Sequence, residues 1–294
     1  MLHTRIRQRL SRLLILHALL AALILPGIAC GTDAPAPAPI RFLLTFDDGP
    51  SAASWHNPTA RVLDALERNP TQAGIKAIFC TQTGALGEAG DDIARQLLRR
   101  EHQDGHLLAF HTGTPRHSNH RFLAPDELDA SLRRGGLELQ AVAGVAPTLV
   151  RPPFWSYDAA TLAQYQRHGM RMLLTDLSAN DGKIWGVNWS WHKRSNLLAN
   201  LALLRPRWLA GELPVVDGAT PVVVTFHDIN RYTAITIEEY LEILLDVARE
   251  LEMPTADKPF YDERDALEKA ALARTVADAE LKPRLPGWWN WIWR

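Results

Sequence analysis

The sequence predicts an α/β fold built on a parallel sheet or barrel. Short apolar runs rich in branched residues alternate with longer segments of helical periodicity, and 294 residues are enough for one large domain. The composition is globular, with 47 % hydrophobic and 22 % charged residues and a formal net charge of −1. Because nucleic-acid-binding proteins usually have a strong basic excess, we expect no nucleic-acid partner.

Six segments have the pattern of buried strands, and helical patterns lie after each of them. The predicted strands are Phe42–Phe46, Ile75–Cys80, Leu107–Phe110, Thr148–Arg151, Met170–Thr175 and Val222–His227. The predicted helices are Pro58–Arg68, Asp91–Glu101, Pro125–Val142, Ala159–His168, Asn196–Ala210 and Ile237–Leu251. This alternation indicates that the strands run parallel, with helices as the crossover connections.

The N-terminal end of the chain differs from this central pattern. Residues 1–29 place four arginines before an apolar stretch from Leu13 to Leu25, which is typical of an export signal. Residues 30–39 are a Pro/Ala-rich linker that begins at Cys30, a candidate for lipidation. We therefore expect an exported protein, periplasmic or associated with the cell envelope through a lipid anchor, and an uncleaved membrane anchor is the alternative.

Residues 254–294 are predicted to form a helical C-terminal extension. A charged, Ala-rich helix is expected from about Asp262 to Glu280, and a tail with four tryptophans follows between Trp288 and Trp293. The tail could pack against the domain, associate with a membrane interface or bind sugar rings. The sequence leaves these three uses open.

Two adjacent carboxylates, Asp47 and Asp48, follow directly on the first predicted strand. Placing like charges side by side is costly unless a cation or a shared proton relieves the repulsion. Turn chemistry explains the next residues, Gly49 and Pro50, but it does not explain the doubled acid. The pair therefore indicates a site in which one acid binds a metal and its neighbour remains free as a base.

Other polar residues stand at the same position relative to their strands. His111 follows the third predicted strand, Arg151 ends the fourth, Asp176 and Asp181 follow the fifth, and His227 ends the last. Because the carboxyl ends of parallel strands meet at one rim, we expect these side chains to line one site.

The segment Thr45–Pro50 resembles the first motif of the polysaccharide deacetylases, carbohydrate esterase family 4, which share the NodB homology domain. The resemblance covers roughly residues 40–253 and implies a distorted (β/α)7-8 barrel that forms a single catalytic domain. It also implies an Asp-His-His site for zinc or a similar divalent ion. By position, Asp47 would be the general base and Asp48 a metal ligand.

The second motif of this family, His-Ser/Thr-x-x-His, is irregular in this chain. His111 matches the first histidine, but Pro115 stands where the second is expected. Residues 124–127 resemble the helix start that follows this motif, and counting back from them places the second histidine ligand at His117. His120 is the alternative, since insertions in loops are readily tolerated.

The segment Arg151-Pro152-Pro153-Phe154 resembles the third motif of this family. The resemblance implies that Arg151 braces the base carboxylate and that the backbone amide of Phe154 helps to hold the oxyanion. An arginine fork is suited to orient a carboxylate, and two prolines stiffen the loop that presents it. Trp155 replaces the usual glycine and is expected to add bulk at the rim of the substrate cleft.

The apolar strand that ends in His227-Asp228 resembles the fifth motif of this family. The resemblance implies that His227 protonates the leaving amine. Thr225 stands where the family has leucine, so the acetyl pocket is expected to differ in shape. In the degenerate fourth motif, Asp181 aligns with the acid that orients the catalytic histidine. Asp176 is the runner-up for that role.

The resemblance implies a metal-dependent hydrolase that removes N-acetyl or O-acetyl groups from a polysaccharide such as a chitin-like or peptidoglycan glycan. The expected partner is thus an N-acetylated polysaccharide or oligosaccharide. Two alternatives stay open. One is a different metal-dependent amidase or esterase that uses the same site on carbon–nitrogen or ester bonds, and the other is a catalytically impaired, glycan-binding protein of the cell wall.

Overall fold

The computed structural model describes residues 36–85, 91–114, 117–181, 183–184, 187–188 and 192–281. Within these ranges, residues from Pro37 onward belong to one compact unit. The predicted export signal, Cys30 and the Trp-rich tail lie outside the described residues. None of the helices in the described ranges is both long and apolar enough to cross a membrane.

The centre of the molecule is a mostly parallel sheet, which confirms the predicted α/β class. Its strands are β1 (Ile40–Asp47), β2 (Ile78–Gln82), β3 (Leu107–Thr112), β4 (Leu149–Val150), β5 (Arg171–Leu173), β6 (Leu177–Ser178), β9 (Thr220–His227), β10 (Thr255–Phe260) and β11 (Thr275–Val276). They lie in the order β11-β5-β4-β3-β2-β1-β9-β6, with β10 beside the start of β1. Strands β7 (Lys183–Ile184) and β8 (Val187–Asn188) form a separate antiparallel pair.

Helices connect the strands, and local capping residues set where several of them begin. They are α1 (Pro58–Glu67), α2 (Asp91–Gln103), α3 (Pro125–Ala143), α4 (Ala159–Arg167), α5 (Lys193–Leu209), α6 (Arg231–Glu250) and α7 (Arg264–Ala273). The side chain of Asn57 accepts a hydrogen bond from the Ala60 amide at the start of α1, and Asn230 accepts one from Tyr232 at the start of α6. Because of this cap, α6 begins six residues before the predicted start at Ile237.

Strands β1 and β9 form the middle of the core and place the candidate site. They pair in register over their full length, so that Asp47 lies opposite His227. Phe46 stacks between Phe79 and Phe226, with ring centroids 5.2 and 5.6 Å apart. The last residues of both strands are thereby fixed at the same level of the rim by a packed aromatic layer.

The segment after residue 253 contributes two strands to this sheet, whereas the sequence predicted a helical extension. β10 pairs parallel with β1, and β11 pairs antiparallel with β5. The helix expected over residues 262–280 is limited to α7. The prediction missed β10 because only Phe260 of its six residues is buried, so the strand lacks an apolar run.

Candidate active site

Asp48, His111 and His117 come together at the carboxyl ends of β1 and β3. One ligand atom of each residue lies within 4.8 Å of the other two. Asp48 Oδ1 is 3.2 Å from His111 Nε2 and 3.1 Å from His117 Nε2, and the two Nε2 atoms are 3.0 Å apart. The adjacent carboxylates thus separate as expected, since Asp48 faces the histidines and Asp47 does not belong to this group.

The donor atoms of this group fit a divalent cation. His111 Nδ1 lies 2.8 Å from the Arg151 carbonyl, and donation to that oxygen leaves the lone pair of Nε2 directed at Asp48. A carboxylate oxygen and two imidazole nitrogens that face one point repel one another unless a proton or a cation lies between them. Two histidines and one carboxylate form a common ligand set for zinc and related ions in catalytic sites.

Electrostatics favour, in Asp48 and His117, the protonation states in which such side chains bind a metal. Burial alone would raise the pKa of the Asp48 carboxyl, but His111, His227 and His117 lower it below its usual range. Burial also lowers the pKa of the His117 ring, although Asp48 opposes this effect. A charged aspartate and a neutral imidazole are the forms in which these side chains bind metals.

His120, the alternative ligand, is placed elsewhere by the structure. Its ring is buried, stacks on Phe110 with centroids 6.0 Å apart and directs Nδ1 to the hydroxyl of Tyr165 at 2.8 Å. It is not part of the group that Asp48 forms with the other two histidines. The structure thus places His117 beside Asp48 and His120 against Tyr165.

Arg151 lies fully buried beneath Asp47 and holds several groups at once. Its Nη1 is 3.4 Å from Asp47 Oδ2, while Nε donates to the Leu173 carbonyl at 2.7 Å. Nη1 also donates to Thr225 Oγ1 at 2.6 Å, and Nη2 donates to Thr45 Oγ1 at 3.2 Å. Thr225, which was expected to shape the acetyl pocket, is fully buried and contacts this arginine.

His227 and Asp181 form a hydrogen-bonded pair at the other side of Asp48. His227 Nδ1 lies 2.8 Å from Asp181 Oδ1, and the His227 amide donates to Asp181 Oδ2 at 2.8 Å. Burial by itself would lower the pKa of the imidazole, but the charge and hydrogen bond of Asp181, together with the charges of Asp48 and Asp47, raise it to about 10. The free Nε2 lies 4.0 Å from Asp48 Oδ2 and so faces the candidate metal site.

Asp176, the runner-up for the orienting acid, has a different position. Its carboxylate accepts a hydrogen bond from the Val223 amide at 2.9 Å and pairs with Arg274. Arg274 follows α7, so this contact attaches the C-terminal segment to β9. The arrangement gives Asp176 a structural contact and leaves Asp181 as the partner of the histidine.

Phe154 and Trp155 form a short turn beside His117. Both residues have positive φ angles, 58° and 51°, a region that costs little only for glycine. This conformation gives a physical reason why glycine is the family's usual residue where this chain has Trp155. The Phe154 ring contacts His117, with ring centroids 4.9 Å apart, and Trp155 is half-buried.

The site contains supporting hydroxyl groups that the sequence analysis did not single out. Thr45 Oγ1 accepts from Arg151, and Thr233 Oγ1 donates to Asp181 Oδ2 at 2.6 Å. Thr45 belongs to the motif residues already quoted, but Thr233 lies in the first turn of α6. A single threonine in such a position is common, so only the fold reveals that it holds a site residue.

Parts of this chain are similar to known proteins. The family model for polysaccharide deacetylase matches residues 36–173. A chitin deacetylase of Pestalotiopsis sp is 28 % identical over 143 residues, which are 49 % of this chain and 44 % of that protein. The peptidoglycan-N-acetylglucosamine deacetylase PgdA of Listeria monocytogenes is 26 % identical over 201 residues, 68 % of this chain and 35 % of that protein. The chain thus spans less than half the length of both relatives.

A solved structure shows the same fold. The chitin deacetylase from the fungal pathogen Colletotrichum lindemuthianum aligns with a TM-score of 0.52 and 21 % identity, over 83 % of this chain and 94 % of that one. The family match begins before β1, includes Asp47, Asp48, His111 and Arg151, and ends at the last residue of β5. Over residues 36–173, this chain is therefore similar to the polysaccharide deacetylase family.

Proposed function

We propose that this protein is a metal-dependent hydrolase that removes acetyl groups from an N-acetylated polysaccharide. The observation that supports the proposal is the joint placement of Asp48, His111 and His117 beside two further groups, Asp47 and His227. A ligand set, a carboxylate base and a cationic acid are the three components that hydrolysis of an acetamide needs. The relatives that are named for chitin and peptidoglycan support the same substrate class.

The resident cofactor in this proposal is Zn²⁺, held by Asp48, His111 and His117. A divalent cation bound there would supply Lewis-acid activation of the acetyl carbonyl and of water. Zinc suits two imidazoles and one carboxylate, but other divalent ions accept the same ligands. Elemental analysis of protein purified without added metal identifies the ion, and one equivalent of a metal other than zinc would overturn the choice of zinc.

Asp47 is the proposed base that takes the proton of the attacking water. Its side chain is 5 % exposed, and Oδ1 is buried without a hydrogen-bond partner among the described residues. Arg151 holds the other oxygen, so the carboxylate keeps one orientation while Oδ1 stays available to accept a proton. The buried arginine thereby fixes the direction in which the base acts.

His227 is the proposed acid that protonates the departing nitrogen. Because Asp181, followed by the charges of Asp48 and Asp47, raises the pKa of its ring to about 10, the imidazolium is the prevailing form in the metal-free protein at neutral pH. Asp181 engages Nδ1 and leaves the proton on Nε2 directed toward the site. His227 on β9 lies opposite Asp47 on the neighbouring strand β1. The base and the acid therefore act on different atoms of one substrate group.

The amide of Phe154 is the proposed donor to the oxyanion of the tetrahedral intermediate. It lies in the turn that follows Arg151, and the ring of the same residue contacts His117. A backbone donor on a rigid turn stabilises developing negative charge without reorganisation. Trp155 follows at the rim and is proposed to narrow the substrate cleft.

The direct test is acetate release by the full chain in the presence of a divalent metal. Chitooligosaccharides, peptidoglycan and acetylxylan separate an N-acetyl from an O-acetyl preference, and acetylated small amides test the alternative of a different amidase. Asp47→Asn is the matched control, because it preserves the shape of the side chain. We expect it to keep metal stoichiometry and to lose at least about 100-fold in kcat.

Two results would contradict this assignment. Unchanged kcat in Asp47→Asn would remove Asp47 as the base. Absence of acetate release from every substrate, with metal bound and glycan retained, would instead support the non-catalytic glycan-binding alternative.

Export to the periplasm or cell envelope is part of the proposal. The arginines and apolar stretch of residues 1–29 support a signal, and Cys30 supports a lipid anchor. Fractionation of cells that express the wild type or Cys30→Ser tests both points. We expect the substitution to move the protein from the membrane to the soluble periplasmic fraction, and persistent membrane association would favour the uncleaved anchor or the Trp-rich tail.

A further inference from the structure

Asp228, the residue after the proposed acid His227, has a buried carboxyl group that none of the catalytic steps above uses. The residue is fully buried, and its Oδ2 accepts a 2.5 Å hydrogen bond from Thr59 Oγ1 in the first turn of α1. The same hydroxyl accepts a hydrogen bond from the Ser51 amide at 2.9 Å. Asp228 is therefore connected through one threonine to the segment that follows the Asp47-Asp48 pair.

The carboxyl group of Asp228 also lies directly against Gly49. A Cβ atom added to Gly49 would overlap both carboxyl oxygens of Asp228 and its Cγ. The φ angle of Gly49 lies outside the left-handed region, so backbone conformation alone does not require glycine there. The glycine is needed because the turn packs against this carboxyl group, a steric reason that turn chemistry does not provide.

The turn that Asp228 contacts presents a metal ligand. Asp48 has a φ of 75°, an uncommon value for a residue other than glycine, and must be held there by its surroundings. The Gly49 carbonyl accepts a hydrogen bond from the Gln82 amide at 2.9 Å, which fixes one side of the turn. Asp228 and Thr59 enclose the other side.

We propose that Asp228 is a positioning residue for the metal centre, whose carboxyl group, held by Thr59, packs against Gly49 and fixes the turn that presents Asp48. This inference rests on the proposed function only in so far as the centre binds a divalent ion. Asp228 contacts neither the ion nor the substrate in this proposal. Residues behind metal ligands commonly change metal affinity by about 10- to 100-fold when they are removed.

The test compares the Zn²⁺ dissociation constants of the apo full-length protein and its variants, measured by competition with a fluorescent chelator. For Asp228→Ala we expect a Kd raised at least about 10-fold. Asp228→Asn keeps the shape and an acceptor for the Thr59 hydroxyl, so its Kd should stay within about threefold of the wild type. At saturating Zn²⁺, Asp228→Ala should regain most of its kcat with unchanged KM, because the loss lies in metal binding.

A double-mutant cycle separates this role from a general loss of stability. Gly49→Ala alone should weaken Zn²⁺ binding, because its Cβ overlaps the Asp228 carboxyl group. In the presence of Asp228→Ala, which makes room for that Cβ, Gly49→Ala should add little further effect, so the two changes should be strongly non-additive. Thr59→Val, which removes only the hydroxyl, provides a third variant if Asp228→Ala does not fold.

The outcomes distinguish failure of this inference from failure of the metal centre. Wild-type Zn²⁺ affinity in folded Asp228→Ala, or in Thr59→Val if the alanine variant does not fold, overturns the positioning role and leaves the centre intact. A loss in Asp228→Asn equal to that in Asp228→Ala overturns it as well, because charge and not packing would then be decisive. A wild-type protein that binds no Zn²⁺ at Asp48 and His111 overturns both.

Discussion

The two histidines that face Asp48 are held in different ways. His111 lies at the end of β3, its side chain is 3 % exposed, and its Nδ1 faces the Arg151 carbonyl. His117 lies in the following loop at a φ of 50°, is 26 % exposed and rests against the Phe154 ring. His111, the first proposed ligand, is positioned by a strand and by a hydrogen bond of its outer nitrogen. His117, the second proposed ligand, is positioned by a loop and an aromatic contact.

The largest effect should follow from removing the strand-held ligand. His111→Ala leaves Asp48 with one histidine and opens a buried space beside the Arg151 carbonyl. We expect Zn²⁺ binding to weaken more than about 100-fold and acetate release to fall to background, because the one histidine that remains beside Asp48 is held only by a loop. Metal content after dialysis and initial rates measure both quantities. Retention of stoichiometric metal by this variant would refute the assignment of the ligands.

A smaller effect is expected at the loop-held ligand. His117→Ala leaves the more rigid half of the site, Asp48 and His111, in place, and water can enter the partly exposed position. We therefore expect a smaller rise in the Kd for Zn²⁺ than in His111→Ala, with part of the activity recovered at high metal concentration. Parallel titrations of both alanine variants provide the comparison, and a greater loss in His117→Ala than in His111→Ala would reverse the proposed order of rigidity.

The same contrast explains how much of the site the sequence could predict. Asp48, His111 and His227 follow apolar runs that mark strand ends, and the carboxyl ends of parallel strands meet at one rim. The position of His117 depended on counting through a loop, where insertions leave no periodic signal. The contacts of Asp228 and Thr233 could not be predicted, because they join residues from separate elements that only the fold brings together.

The fold itself was predictable where burial produced a pattern. The strands β1, β3 and β9 are almost entirely buried and appear as continuous apolar runs. β10 is mostly half-exposed or exposed, and β11 has two residues, so neither has such a run. The C-terminal segment joins the sheet through the backbone hydrogen bonds of β10 and β11, which leave no pattern in the sequence. Its composition therefore indicated an extension and not a part of the domain.

His120 gives the smallest expected effect on the metal and extends the comparison to a histidine that lies outside the ligand group. His120→Asn keeps a polar atom near the Tyr165 hydroxyl that Nδ1 faces. We expect the Kd for Zn²⁺ to change less than about threefold, since only His111 and His117 face Asp48 in the ligand group. A loss as large as that of His117→Ala would show that the loop rearranges and that His120 reaches the ion.

The same variant should change the response of the apo protein to acid. Burial, followed by the charges of His111 and His117, lowers the pKa of His120 to about 3 from an ordinary value near 6.5. Between these two values the unfolded chain binds the proton that the folded state excludes, so this histidine supports stability fully above pH 6.5 and progressively less as the pH falls toward 3.

From pH 7 to pH 4.5, the wild type should lose roughly 2–3 kcal/mol more unfolding free energy than His120→Asn. Urea unfolding of both proteins at the two pH values measures this difference. The buried ring of His106 also has a pKa lowered to about 3, but its contribution is the same in both proteins and cancels in the difference. Equal losses in the two proteins would mean that the His120 ring is solvated or protonated in the folded state, and the contrast between His120 and the two histidines that face Asp48 would then disappear.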